Sequence, residues 1–159
     1  MGARRRKVSQ IAGQWVSYRQ DMLESAAFRA LGAVPSRILH RLEVEHMRHG
    51  GQENGRIPCT YNDFEQYGIR RKSVPRAIKE AVALGFLIIT ERGRMAAHEF
   101  RVPSRYRLTY ISTLESGPTD EWARIKTDEQ AVAILNMLEA TRGAKKQKTG
   151  GEIVQFQGR

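Results

Sequence analysis

Cysteine is almost missing from this chain: Cys59 stands alone among 159 residues, so no intrachain disulfide can form and nothing points to an oxidising compartment. No run of about 18 apolar residues is present to span a bilayer as a helix. The opening Met-Gly-Ala-Arg-Arg-Arg-Lys is not followed by an apolar stretch, so it does not read as a secretory signal. Arg6 occupies the position where a myristoylation motif beginning at Gly2 requires Ser or Thr. A cytoplasmic location is the expectation. Acidic residues are also scarce relative to basic ones, 17 Asp+Glu against 27 Lys+Arg, a formal charge of +10. A charge of that size and sign draws polyanions, of which nucleic acid is the commonest in a cell.

Catalytic and metal patterns are missing too. His46, His49 and Cys59 lie close in sequence, but His-x-x-His with one Cys lacks a fourth ligand and any Cys-x-x-Cys spacing. Gly50, Gly51 and Gly55 are not followed by Gly-Lys-Ser/Thr and so do not form a phosphate loop. No nucleophile–base arrangement stands out, and the carboxylates are scattered. The chain is therefore read as a binding protein without enzymatic activity or cofactor.

What is present is a succession of short, punctuated elements in a chain long enough for one domain. Residues 1–14 read as a disordered basic arm. Trp15, Met22, Leu23, Ala27, Phe28 and Leu31 suggest a leading helix over 15–31, ended by Gly32. A second helix is expected from Pro35-Ser36 to about His49, with Ile38, Leu39, Leu42 and Met47 on its buried face. The turn-rich stretch 49–55 leads to a very short strand, 56–59, which Pro58 confines to an edge or end. Thr60 can cap the next helix, where Asp63 suits the dipole and Phe64 and Tyr67 point inward, before Gly68 stops it. Ser73 can cap a further helix over 73–84, with Gly85 at its C′ position. Residues 86–90 make the best strand in the chain, and 105–111 its antiparallel partner. Ser116-Gly117-Pro118 breaks the chain again before a last helix within 117–141, where Thr127 and Gln130 form a capping box. Its apolar stripe, Ala131, Ile134, Leu135 and Leu138, either packs back onto the leading helix or pairs with a second protomer. Residues 142–159, with Lys145, Lys146 and Lys148, read as a disordered basic tail. Trp15, Phe28 and Trp122 are expected to be core anchors.

Helix 73–84 has two faces. Val74, Ala77, Ile78 and Ala81 recur at the spacing of a buried stripe, while Lys72, Pro75, Arg76, Lys79 and Ala83 fall on the other side. From Arg70 to Lys79 there are five basic residues (Arg70, Arg71, Lys72, Arg76, Lys79) and no acidic one. Phosphate contact requires such charge, and Arg can donate two hydrogen bonds to a guanine edge. A cationic helix face is commonly just solvated. Here it follows a short capped helix and tight turn, and it precedes a strand–loop–strand with its own Arg92, Arg94, Arg101 and Arg105.

In this order the segments Thr60-Tyr61-Asn62-Asp63, Arg70-Arg71-Lys72-Ser73-Val74-Pro75-Arg76, Leu84-Gly85-Phe86-Leu87 and Arg92-Gly93-Arg94 resemble the winged helix-turn-helix superfamily. The likeness is greatest to small winged-helix regulators and replication-initiator-like proteins of bacterial plasmids, phages and integrative elements, and it spans roughly residues 33–112. It implies a mainly α fold with a small antiparallel β wing and additional N- and C-terminal helices, the winged-helix domain with its leading helix covering 15–116. It also implies that Ser73 opens the recognition helix, Arg76 and Lys79 face DNA, Leu84-Gly85-Phe86-Leu87 turns into the wing, and Arg92-Gly93-Arg94 begins its tip. The expected DNA-binding set is Arg70, Arg71, Lys72, Ser73, Arg76, Lys79, Arg92, Arg94, Arg101 and Arg105. The expected partner is double-stranded DNA, with a homodimer through the C-terminal helix as the alternative use of its stripe. The function expected is a sequence-specific transcriptional regulator acting as a repressor. The alternatives are a replication-initiation or excision accessory factor, and an RNA-binding or protein-interaction winged helix.

Overall fold

A computed structural model describes residues 12–95 and 101–149, with side chains over 12–94 and 102–141. About half of the described chain is helical, with one small three-stranded antiparallel sheet.

The central element is α3, Ala33–Arg48. Pro35 is accepted in its first turn, where backbone amides have no intrahelical partner. Ile38, Leu39, Leu42 and His46 form its buried stripe. Two left-handed glycines stop it: Gly50 and Gly51 (φ 68° and 72°) turn the chain so that their amides reach the carbonyls of Met47 and His46.

Ahead of α3 the structure departs from the single leading helix expected over 15–31. Residues 14–19 have no helix, and two short helices follow, α1 (Gln20–Leu23) and α2 (Ala26–Ala30). Ser25 makes the break. Its backbone is extended, and its hydroxyl accepts the Phe28 amide at 3.1 Å while donating to the Met22 carbonyl. That local bonding competes with a continuous helix. Met22 and Ala27 are buried and Phe28 is partly so, but Trp15 is 57% exposed and anchors no core. The segment is tied down instead by Tyr18, whose hydroxyl donates to the buried Glu43 carboxylate, which also accepts from Tyr110.

Strand β1 (Ile57–Cys59) lies at the sheet edge, as Pro58 requires. It pairs with β5 (Ser104–Leu108), which pairs in turn with β2 (Leu87–Glu91), giving the order β1-β5-β2. The register sets Leu87 against Leu108 and Ile89 against Tyr106, with an irregularity at Thr90 before Glu91 meets Arg105. Tyr106 and Leu108 are buried, while the alternating Arg105 and Arg107 lie on the outer face. The strand expected to reach Ile111 stops at Leu108. Asn54, buried far from it in sequence, accepts the Leu108 amide at 2.8 Å and donates to the Leu108 and Ile111 carbonyls, replacing a further strand. Two shorter strands, β3 (Arg94–Met95) and β4 (Arg101–Val102), pair beyond β2 and β5 and lead towards residues 96–100, outside the described chain.

Between β1 and β2 lie α4 (Tyr61–Gln66), a 3₁₀ turn (Arg71–Ser73) and α5 (Val74–Ala83). Val74, Ala77, Ile78 and Ala81 of α5 are buried, and Phe64 of α4 meets Tyr106 edge to face. Tyr67, expected inward, is 37% exposed because α4 ends one residue before it.

Gly85 has φ 81°, the left-handed conformation that closes α5: the Gly85 amide reaches the Val82 carbonyl and the Phe86 amide that of Ala81. Phe86 is fully buried. Its ring stacks on Trp122 at 6.4 Å, within 4° of parallel, and meets Phe28 and Tyr110 edge-on. Trp122 sits in a 3₁₀ turn (Glu121–Arg124) that feeds α6, Asp128–Thr149.

Thr127 does cap α6, accepting the Gln130 amide at 3.3 Å, but Gln130 returns its bond to the amide of Lys126 and not of Thr127. The expected reciprocal box is therefore shifted by one residue. α6 packs on α2 and α5 through Ala131, which is fully buried, and Leu135. It also runs past Arg142, where a disordered tail was expected, as helical backbone to Thr149. The arm 1–11 and the residues 150–159 lie outside the described chain. No helix among the described residues is long and apolar enough to cross a membrane.

A Cβ at Gly85 would lie 2.5 Å from the Trp122 backbone nitrogen and 2.7 Å from the Glu121 carbonyl carbon. Backbone strain and backbone collision act together there, so Gly85→Ala should cost more than about 2 kcal/mol. Gly117→Ala, with open space around its Cβ, should stay within about 0.5 kcal/mol. Urea melts of the two variants check this.

Candidate nucleic-acid interface

The α4–turn–α5 unit is locally determined. Thr60 is extended at the start of α4; its hydroxyl accepts the Asp63 amide, and Asp63 Oδ2 accepts the Thr60 amide at 2.6 Å, a full capping box. Burial favours the protonated Asp63 carboxyl, but the two Thr60 bonds and the Arg41 and Arg48 charges outweigh it and hold the group below the usual carboxylate range. Gly68 (φ 85°) ends the helix and lets the Ile69 amide reach the Phe64 carbonyl. Arg37 of α3 braces this corner, donating to the Tyr67 carbonyl at 2.8 Å with its guanidinium over the Tyr67 ring.

Ser73 does not cap α5 as expected. An N-cap needs extended backbone so that its side chain can turn onto the first amides. Ser73 has helical angles (φ −88°, ψ −20°) because the 3₁₀ turn runs directly into α5, and its side chain makes no capping bond. Pro75, which has no amide to satisfy, sits in the first turn.

The expected cations separate into three groups. Arg70, Arg71 and Lys72 are exposed on the turn before α5, and Lys79 is exposed on its outer face. Arg92 and Arg94 are exposed where β2 hands over to β3, whereas Arg101 opens β4 with its side chain outside the described residues. Arg105 is half-buried on the outer sheet face. Its Nε lies 3.1 Å from Glu91 Oε2, an ion pair without hydrogen-bond geometry.

Two cations distant in sequence share a groove. Arg71 and Arg94 line one groove of about 420 Å³ between the start of α4 and the β3–β4 strands. Tyr61 and Asn62 on one side and Ser104 on the other add hydrogen-bonding groups. Arg71 donates to Asn62 and lies 3.3 Å from Glu65 Oε2. At the groove's far wall the strands approach closely: a Cβ at Gly93 would lie 2.8 Å from the Val102 carbonyl oxygen, and the Gly93 amide donates to Ser104 Oγ. Tyr61 and Asn62 were not picked out from the sequence. The available signal was their place in the first turn of the helix preceding the basic one.

Arg76 is the exception. It projects from α5, 55% exposed, but its Nε donates to Glu80 at 2.6 Å and its Nη2 lies 2.8 Å from Glu139 of α6. Cys59, by contrast, is in the core, and burial pushes its thiol up to about 12. No group of three His, Cys, Asp or Glu among the described residues is placed to hold a metal ion. No family model matches the chain, and neither a curated protein nor a solved structure matches it.

The capping box predicts a pH dependence. Because the Asp63 carboxyl is held below its unfolded value, its stabilising contribution is full above about pH 4 and is lost as pH falls through the folded value. Thr60→Ala should cost about 1 kcal/mol at neutral pH. Asp63→Asn should flatten part of the decline below pH 4. Denaturant melts from pH 3 to 7 test both; an acid limb unchanged by Asp63→Asn counts against the assignment.

Proposed function

We propose that the chain is a winged helix-turn-helix protein that binds double-stranded DNA sequence-specifically, without enzymatic activity, and regulates transcription as a repressor by occupying an operator. In this reading α5 enters the major groove and the β2–β5 hairpin with its β3–β4 extension is the wing. The observation that carries it is the groove where Arg71 and Arg94, from either side of α5 in sequence, come together with Tyr61, Asn62 and Ser104. A backbone phosphate is the ligand such a set suits: two guanidinium groups with neutral donors between them.

The dimensions agree. A helix with its side chains is about 10–12 Å across, which suits a major groove about 12 Å wide, and the ten residues of α5 run about 15 Å along their axis. Lys79 on its exposed side and Lys72 on the turn that leads into it, with Arg76 at the flank, supply base-edge contacts. Arg70, Arg71, Arg92, Arg94 and Arg101 supply backbone contacts. Arg105, paired with Glu91, belongs to the wing's scaffold before it belongs to the DNA.

Fluorescence anisotropy with duplex DNA at several salt concentrations tests this. If about six phosphates are neutralised, log K should fall with log salt at a slope near −5. Arg71→Ala with Arg94→Ala should weaken preferred and random duplexes by similar factors and lower the slope by about two. Arg76→Ala should cost about 1–3 kcal/mol on the preferred site and much less on random DNA. A flat salt response, or equal affinity for heparin, single-stranded RNA and every duplex, would remove the case for a DNA reader.

The same packing bears on the oligomer. Among its described side chains, α6 places Ala131 and Leu135 against the core, leaves Ile134 and Leu138 partly exposed, and has Val132 and Met137 strongly exposed. Two such side chains fall well short of the roughly 800 Å² per partner of a stable interface. Light scattering of the full chain at tens of micromolar should therefore give the monomer mass; a dimer mass would restore pairing through α6.

A further inference from the structure

The geometry points to Glu139 as an internal competitor for Arg76: α6 restrains DNA binding by offering a carboxylate where a base edge would otherwise dock. This inference rests on the DNA-binding reading above and adds a regulation of the same helix.

A guanidinium has two edges that can donate a pair of parallel hydrogen bonds, one through Nε and Nη2, the other through Nη1 and Nη2. Glu80, one turn along α5, takes Nε at 2.6 Å and so closes the first edge. The second edge shares Nη2, and Glu139 lies 2.8 Å from that atom. Arg76 therefore has one carboxylate at Nε and another at Nη2, the nitrogen common to both edges it would use to read a guanine. Glu80 is local to α5, with 15% of its side chain exposed, whereas the Glu139 side chain is 44% exposed and arrives on a separate helix.

The position of Glu139 is not accidental to a loose tail. Ala131, two turns earlier on α6, is fully buried, and Leu135, one turn earlier, packs on the core. These contacts with α2 and α5 deliver Glu139 to the recognition helix. DNA approaching α5 must displace this carboxylate from Arg76 and carry a negative charge close to its own phosphates. A good guanine edge repays the exchange; a random sequence leaves Arg76 with Glu139. The restraint consequently falls mostly on the preferred site.

The experiment measures the affinities of the full-length chain, Glu139→Gln, Arg76→Ala and the double variant. The probes are a duplex selected from a random pool by the unmodified chain and a random duplex of equal length. Glu139→Gln should tighten the selected duplex about threefold, the scale of one exposed ion pair, and the random duplex less than twofold. In the Arg76→Ala background the same substitution should leave both affinities unchanged. A gain that persists without Arg76 would reduce Glu139 to general repulsion, and weaker binding by Glu139→Gln would make it a support for Arg76; either overturns the inference. Failure of the unmodified chain to bind any duplex would overturn the DNA-binding reading itself, an outcome recognisable from that arm alone. Melting curves of all four proteins confirm equal folding, since both side chains are exposed.

Discussion

Phe86 is the side chain on which the arrangement of the other elements depends. It follows the left-handed Gly85 directly, so the turn that ends α5 also drives a phenyl ring into the core. There it meets Phe28 of α2, Tyr110 beyond β5 and Trp122 of the turn before α6. Aromatic burial of this kind is worth several kcal/mol in one locus. The close approach of the Trp122 backbone to Gly85 means that the turn and the tryptophan fit only together. With Trp122 seated, the chain has one short route back, and α6 lies along α2 and α5. Thr109 strengthens the same corner, its hydroxyl donating to the Gly85 carbonyl at 2.7 Å and its amide to that of Phe86.

That corner also shapes the electrostatics of the basic face. Some of its cations are committed within the molecule: Arg71 to Asn62 and Glu65, Arg76 to Glu80 and Glu139, Arg105 to Glu91. Among the described residues no carboxylate stands within ion-pair distance of Arg70, Lys72, Lys79, Arg92 or Arg94. Exposed pairs are worth at most about 1 kcal/mol, so the committed cations can exchange partners. The others act at longer range, through a field that salt screens over about 10 Å.

Much of the local structure was legible in the residues themselves. The capping of α4 by Thr60, the buried stripe of α5, the role of Gly85, the edge position of Pro58 and the pairing of the two long strands all follow from neighbours a few positions apart. The errors have the same origin. The apolar neighbours of Ser25 suggest one long helix, yet a single hydroxyl bonding both ways splits it. Ser73 has a favoured capping residue type, but the preceding turn was already helical, so its backbone could not cap. Residue type assigns Trp15 to the core, and nothing in its immediate sequence shows that the chain there stays outside.

The sequence by itself determined most of the helices, strands and turns between Ala33 and Leu108, and that cations collect between Arg70 and Arg105, because capping, periodicity and backbone preference act over a few residues. Only the tertiary structure decided which of those cations meet and what they meet. Arg71 shares a groove with Arg94, Arg76 faces Glu139, and Asn54 completes the end of β5 in place of a strand. Each of these contacts joins residues far apart in the chain, and that between Arg76 and Glu139 follows from the burial of Ala131, which seats α6 against α2 and α5. Burial by area is non-directional: it specifies that such residues go inside, whereas the polar groups their packing brings face to face depend on the three-dimensional path of the backbone.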